Sequence, residues 1–149
     1  QERILRMIPG LQEADFVRFG QMHRNTFINS PSLLHATMEM KQRPGLFFAG
    51  QIVGVEGYMG NAASGLLAGR NAAARVQEKP LLELPRETML GSLAWYVTHA
   101  EAGHFQPMKA NFGIMLPLKP HVKNKRARYQ AYVERGHKML EQSLQSDAG

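Results

Sequence analysis

The sequence predicts an α/β fold, and three observations carry that prediction. A short apolar run, Leu46 to Ala49, is bounded by Pro44-Gly45 and Gly50 and reads as a buried strand. Glycines 54, 57 and 60 follow at three-residue spacing. Behind them, as far as Arg75, comes a run of small residues in which Ala62, Gly65, Gly69 and Ala72 recur at helical intervals and leave one face nearly bare. Strand, glycine turn and helix in that order set a helix N-terminus at the carboxyl edge of a sheet. Its unpaired N–H groups and positive dipole end suit an anionic or electron-rich ligand. The same pattern also serves a tight helix–sheet contact with no ligand. Glycine inside a helix costs about 1 kcal/mol relative to alanine, so a pair of them needs at least a packing reason. A membrane dimer of the Gly-xxx-Gly type is not expected, because Glu56 and Arg70 bracket an apolar run too short to span a bilayer.

The other elements follow in chain order. Residues 2–8 have apolar positions at helical spacing and stop at Pro9-Gly10, which predicts a short helix. Phe16-Val17-Arg18-Phe19, before Gly20, predicts a short strand within 14–21. Met22 to Pro31 is polar and turn-rich and is expected to be a loop able to present functional side chains. Residues 33–42 fit helix and strand equally. The strand, glycine turn and helix span about 46–76. Pro85 and Arg86-Glu87 open a helix reaching His99, with Leu90, Leu93, Ala94 and Val97 on one face and Trp95 expected in the core. Residues 101–121 hold Gly103, Pro107, Gly113, Pro117 and Pro120 and predict an extended, turn-rich stretch. From Lys123 to about Gln145 the chain is helical again, with Tyr129, Val133, Met139/Leu140 and Leu144 as an apolar stripe.

Composition narrows the function classes. A chain of 149 residues can bury a sizeable core. It has no cysteine, which removes disulfides and thiolate metal sites and agrees with a reducing cytoplasm, the expected location. His35, His99, His104, His121 and His137 show no metal-ligand spacing, so no metal is expected. Ser64-Gly65 lacks the spacing of a nucleophile elbow and reads as small packing residues. The net charge is +6, and one stretch carries all of it: Lys119, Lys123, Lys125, Arg126, Arg128, Arg135 and Lys138 stand against Glu134. Such a block suits a polyanionic partner, or it is a solvated helix face.

Several segments together carry a resemblance. Phe48-Ala-Gly-Gln-Ile-x-Gly-Val-Glu-Gly-Tyr58, followed by Ala62-Ala-Ser-Gly65 and Ala68-Gly-x-Asn-Ala-Ala73, resembles a flavin-contacting motif of the folate- and FAD-dependent tRNA (uracil-5-)-methyltransferases. Met7-Ile-Pro-Gly-Leu11, Met22 to Pro31, Pro85-Arg-Glu-Thr-x-Leu-Gly91 and Phe105-Gln-Pro-Met-x-Ala-Asn-Phe-Gly113 match the same family in the same order. The related flavoproteins that modify the tRNA wobble uridine share the Ala-Gly-Gln core and a following Gly-Tyr, and the Val55-Glu56 pair and the Met22–Asn25 run favour the methyltransferases. A third reading, from the basic helix alone, is a non-catalytic RNA-binding module.

The resemblance implies a two-domain, glutathione-reductase-like FAD-binding fold, of which this chain is expected to be the C-terminal part. The family's N-terminal dinucleotide fingerprint and its catalytic cysteines are absent from these residues, so no catalytic residue is assigned and the chain alone is expected to be inactive. It is expected to divide into a folate-facing region (1–42), the second half of the FAD domain (43–118) and a basic helix (119–149). Gly50, Gln51, Glu56, Gly57 and Tyr58 are implied to face the flavin. On physical grounds the amides of Asn61, Ala62 and Ala63 are the better donors to it. His23 is implied to stack on the folate, with Asn25 beside it, although a lone histidine is as readily structural. Arg24, Lys119, Lys123, Lys125, Arg126 and Arg128 are the expected tRNA contacts. The implied ligands are FAD, 5,10-methylenetetrahydrofolate as one-carbon donor, NAD(P)H as reductant, tRNA, and the rest of the same polypeptide; no membrane is implied.

Overall fold

The structure is a computed structural model that describes residues 1–19 and 26–146. Helix α1 (Glu2–Leu5) is shorter than expected and buries none of its residues. No strand forms over 14–19. Val17 is fully exposed, and Phe16 and Phe19 stack on each other with centroids 5.5 Å apart; Arg6 reaches Ala14 O and the Phe16 ring, but no described strand pairs with this segment. Helix α2 (Ser30–Leu33) starts inside the expected loop, with Pro31 in its first turn, where a missing N–H costs nothing. The ambiguous 33–42 segment turns back on itself through antiparallel bridges, Leu34 to Met40 and Glu39 to Phe47.

That turn explains a correction. Leu46 to Ala49 is half-buried, but it joins no sheet among the described residues. Phe48 N–H donates to Met38 O at 3.1 Å and Leu46 O accepts from Met40 N–H at 2.8 Å, so the run satisfies its backbone on the preceding hairpin. The parallel sheet lies just beyond. Strand β1 (Val55–Glu56) comes out of the glycine turn, and Val55 pairs with Met108 and Glu56 with Lys109 of β2 (Met108–Lys109).

Helix α3 (Tyr58–Val76) and helix α4 (Met89–His99) pack over this small sheet. The core joins Met38 and Leu34 of the hairpin, Val53, Val55, Leu67 of α3, and Leu93 and Val97 of α4. The bare face of α3 is not the packed one. Gly65 and Gly69 have open space where a Cβ would stand, whereas Gly60, Ser64, Leu67, Ala68 and Asn71 are buried. Asn71 is wholly buried; its Nδ2 donates to Thr37 O and Leu82 O at 3.0 and 2.9 Å, and its Oδ1 accepts from Leu82 N–H at 2.8 Å. Farther along α3, Arg75 Nε donates to Glu39 at 2.8 Å, and Gly45 N–H reaches the same carboxylate at 2.8 Å. The hairpin is thereby fastened to the helix.

Thr88 caps α4, its Oγ1 accepting from Gly91 N–H at 2.9 Å. Leu93, Ala94 and Val97 are buried as expected, but Trp95 is only half-buried. The Arg86 guanidinium lies 3.5 Å from its ring centroid and His99 stacks on it at 4.8 Å, so the indole is held at the surface rather than in the core. Helix α5 (Lys125–Ser146) begins where Asn124 Oδ1 accepts from Ala127 N–H at 3.0 Å. Arg135 of α5 donates to Leu116 O and Pro117 O at 2.6 and 3.1 Å, which makes it a structural clamp rather than a free cation of the basic block. Between α3, the start of α4 and α5 runs an apolar groove of about 500 Å³, lined by Leu66, Met89, Phe112, Val133 and Leu140 among others. Among the described residues no helix is long and apolar enough to cross a membrane.

Candidate functional site

The glycine turn is built residue by residue to deliver the N-terminus of α3. Gly50 N–H donates to Ser64 Oγ at 3.0 Å, and that hydroxyl donates to Asn61 O at 3.0 Å. Ser64, expected to be a mere packing residue, therefore ties the entry of the turn to the helix it feeds. A 3-10 turn (Gly50–Val53) follows. Gly54 takes a left-handed conformation, and a Cβ there would lie 2.5 Å from the Phe105 ring. Gly57 precedes the helix at φ 85° and ψ 146°, a region that only glycine enters cheaply. A Cβ on Gly60 would lie 2.9 Å from Val55 Cγ1, so α3 lies directly against β1.

The helix start differs from the expected one in a way that matters for donors. Asn61 N–H already donates to Gly57 O at 3.0 Å, and Ala62 and Ala63 follow in the same helical ladder. The amides of Asn61, Ala62 and Ala63 are therefore spent inside the helix. The unpaired ones belong to Tyr58, Met59 and Gly60, one turn earlier, and among the described residues no side chain caps them. Tyr58 and Met59 are 95% and 84% exposed, so this end of α3 opens outward. Asn61 Oδ1 is buried there without a hydrogen-bond partner among the described residues, and it lies 3.9 Å from where a Cβ on Gly50 would stand.

Two further groups complete the edge. Glu56 is half-buried beside Lys109 in the sheet register, and the Lys109 chain passes 3.5 Å from where a Cβ on Gly57 would stand. Lys109 was not anticipated from the sequence; its only signal was its place inside the Phe105 to Gly113 motif. Gln51 is exposed and Gly50 half-buried. The turn is also tied to the segment that follows residue 25: Ile28 N–H donates to Ile52 O at 2.8 Å, and Ser30 Oγ to Val53 O at 2.9 Å. His23, Arg24 and Asn25 lie outside the described residues. Among the described residues, no group of three His, Asp or Glu is placed to hold a metal ion.

The basic residues lie elsewhere. Lys119, Lys123, Lys125 and Arg126 are exposed on α5 and the stretch leading into it. Arg128 is half-buried and reaches back to Val122 O at 3.5 Å. The structure thus presents an open helix N-terminus with a lysine beside it, and a separate cationic face on α5.

Comparison with known proteins places the chain among relatives. A family profile described as glucose inhibited division protein A matches residues 1–80, which includes the whole glycine turn and all of α3. The chain is 55% identical over 146 residues to the methylenetetrahydrofolate–tRNA-(uracil-5-)-methyltransferase TrmFO of Enterococcus faecalis, covering 98% of this chain and 34% of that protein. Enzymes of the same name from an Exiguobacterium species and from Heliobacterium modesticaldum are 56% and 55% identical over 95% and 97% of the chain. The chain spans about a third of the length of each of these relatives. With more than half of its length matched by that profile, the chain belongs to the glucose inhibited division protein A family.

Proposed function

We propose that the chain is the part of a folate- and FAD-dependent tRNA (uracil-5-)-methyltransferase that holds the flavin ring and the tRNA. The observation that carries this reading is the uncapped start of α3, with its unpaired amides at Tyr58, Met59 and Gly60 and Lys109 alongside. N–H donors and a cation converging at a positive dipole end fit the N1–C2=O side of an isoalloxazine, where negative charge collects on reduction. The partnerless Asn61 Oδ1 adds an acceptor for a ring N–H. When bound, the flavin supplies the electrons that turn a transferred methylene into a methyl group. The residues of this chain bind and orient it: Gly50, Gln51, Glu56, Gly57 and Tyr58 shape the turn, and Ser64 fixes it to α3.

In the same reading, His23 and Asn25 face the folate, NAD(P)H is the reductant, and the rest of the polypeptide completes a glutathione-reductase-like FAD fold in the cytoplasm. The division into residues 1–42, 43–118 and 119–149 belongs to this proposal. Lys119, Lys123, Lys125, Arg126 and Arg128, with Arg24, hold tRNA phosphates. The similarity to the tRNA-(uracil-5-)-methyltransferases favours this over modification of the wobble uridine.

The test uses the full natural chain. It should purify with a stoichiometric flavin and transfer a labelled one-carbon unit from methylenetetrahydrofolate to tRNA uracil. Lys109→Glu should lower flavin content with the far-ultraviolet circular dichroism unchanged. Full flavin occupancy in that variant would remove Lys109 and the α3 terminus from the site.

A further inference from the structure

The basic face of α5 carries more than charge. Tyr129 is 37% exposed, and its ring stacks on Phe112 with centroids 4.5 Å apart and planes within 13° of parallel. Tyr132 packs against the same Phe112 at 5.5 Å, so the stack is braced from the helix's next turn. Lys125 Nζ and Arg128 Cζ lie 5.8 and 6.0 Å from the Tyr129 centroid. Beside the ring opens a shallow cleft of about 460 Å³, lined by Lys125, Arg126, Tyr129, Gln130 and Val133. No acid lines it, and Glu134, one turn on, accepts a hydrogen bond from Gln130 at 2.9 Å. A solvated helix face needs none of this. Long cationic side chains keep themselves soluble, whereas a braced, half-open aromatic ring costs solvation and contributes a rigid π-face.

We infer that Tyr129 is a stacking platform for an unpaired base of an RNA strand whose phosphates are held by Lys125, Arg126 and Arg128. The inference rests on the reading of α5 as an RNA face and deepens it. Phosphate contacts alone position a strand and carry no information about bases, while a π-face beside them selects single-stranded or splayed nucleotides over duplex. A cleft with cations on its rim and an aromatic wall is the combination that single-stranded nucleic acids use. An acidic protein segment would be held by the same cations but has no base to stack.

The test compares binding of a short single-stranded RNA containing 2-aminopurine with binding of heparin, a polyanion without bases, across a salt series on the full chain. Tyr129→Leu should weaken RNA binding about tenfold and abolish the quenching of 2-aminopurine, with heparin binding and the salt slope unchanged. Tyr129→Phe, which keeps the ring, should retain both RNA affinity and quenching. Unchanged RNA affinity in Tyr129→Leu, or an equal loss for heparin and RNA, overturns the stacking role. So does a wild-type protein that leaves 2-aminopurine unquenched. A combined Lys125→Gln, Arg126→Gln and Arg128→Gln variant addresses the underlying reading separately: a flattened salt slope supports the RNA face, and an unchanged slope overturns it whatever Tyr129 does.

Discussion

Helices α4 and α5 both carry an apolar stripe, yet the core takes in only one of them. In α4 six residues are buried, including Leu93, Ala94 and Val97. In α5, Tyr129, Val133 and Leu144 stay 37%, 43% and 37% exposed, while Leu140 packs on the core. The difference lies in how near each backbone can come. A Cβ on Gly91 would stand 2.1 Å from Pro85 O, so α4 lies directly on the chain before it. A Cβ on Gly136 of α5 would stand 3.4 Å from Glu87 O, so the same methyl group has room there, and α5 is otherwise fastened by points: the Arg135 clamp, Leu140 and the Phe112 stack. An apolar stripe therefore says which side of a helix faces inward, and small residues decide how deep it goes. What stays shallow keeps its cations available.

The largest expected effect tests that depth. Gly91→Ala places a methyl group against backbone carbonyls that cannot swing aside, and should cost about 3 kcal/mol or more in urea unfolding of the full chain. A loss under about 1 kcal/mol would mean that α4 sits no deeper than α5. Asn71→Ala comes next. It strands Leu82 N–H and C=O in the core, and should cost about 2–3 kcal/mol by the same measurement.

The third prediction concerns acid. The hydrogen bond from Arg75 holds the Glu39 carboxyl below its ordinary value of 4.5, outweighing the opposing effect of burial, and Gly45 N–H assists. Folding thus favours the ionised form. The stabilisation is complete above pH 4.5 and is lost as pH falls below it, through the lowered value in the folded chain. Unfolding followed by circular dichroism from neutral to acid pH should show that loss, and Glu39→Gln should remove this part of the acid dependence while lowering stability at neutral pH. Arg135→Ala should cost only about 1 kcal/mol, by leaving Leu116 O and Pro117 O to water. Smallest of all, Lys123→Gln and Lys125→Gln should change stability by about 0.5 kcal/mol or less, since both are exposed. A cooperative loss of structure in either variant would show α5 to be as integral as α4.

The three long helices were legible in the sequence, since their periodicity runs over several turns; two of the starts were placed a little early, at Arg86-Glu87 and Lys123, where the Thr88 and Asn124 side chains set them at Met89 and Lys125. The sheet was not. β1 and β2 are two residues each, too short for any alternation, and β1 hides inside the glycine turn. Leu46 to Ala49 looked like the strand because its apolar content is right; its backbone partner, the 34–40 hairpin, came from a segment whose pattern favoured neither element. At the candidate site the turn was legible and its free donors were misplaced by one turn, because α3 starts at Tyr58 rather than Asn61. Lys109 could not be found by spacing, since the parallel pairing brings it in from a distant segment.

Trp95 is the single tryptophan in this chain, and it sits between two elements whose separation matters. Arg86, in the segment leading into α4, lies over its ring, and His99 at the helix end stacks on it. Its emission is thus a built-in optical gauge. Any loosening of α4 from the 84–88 segment separates cation from indole and changes intensity and wavelength together. One fluorophore can therefore follow the deeply seated helix in solution without a label, and α5, which has no tryptophan of its own, leaves that signal uncluttered.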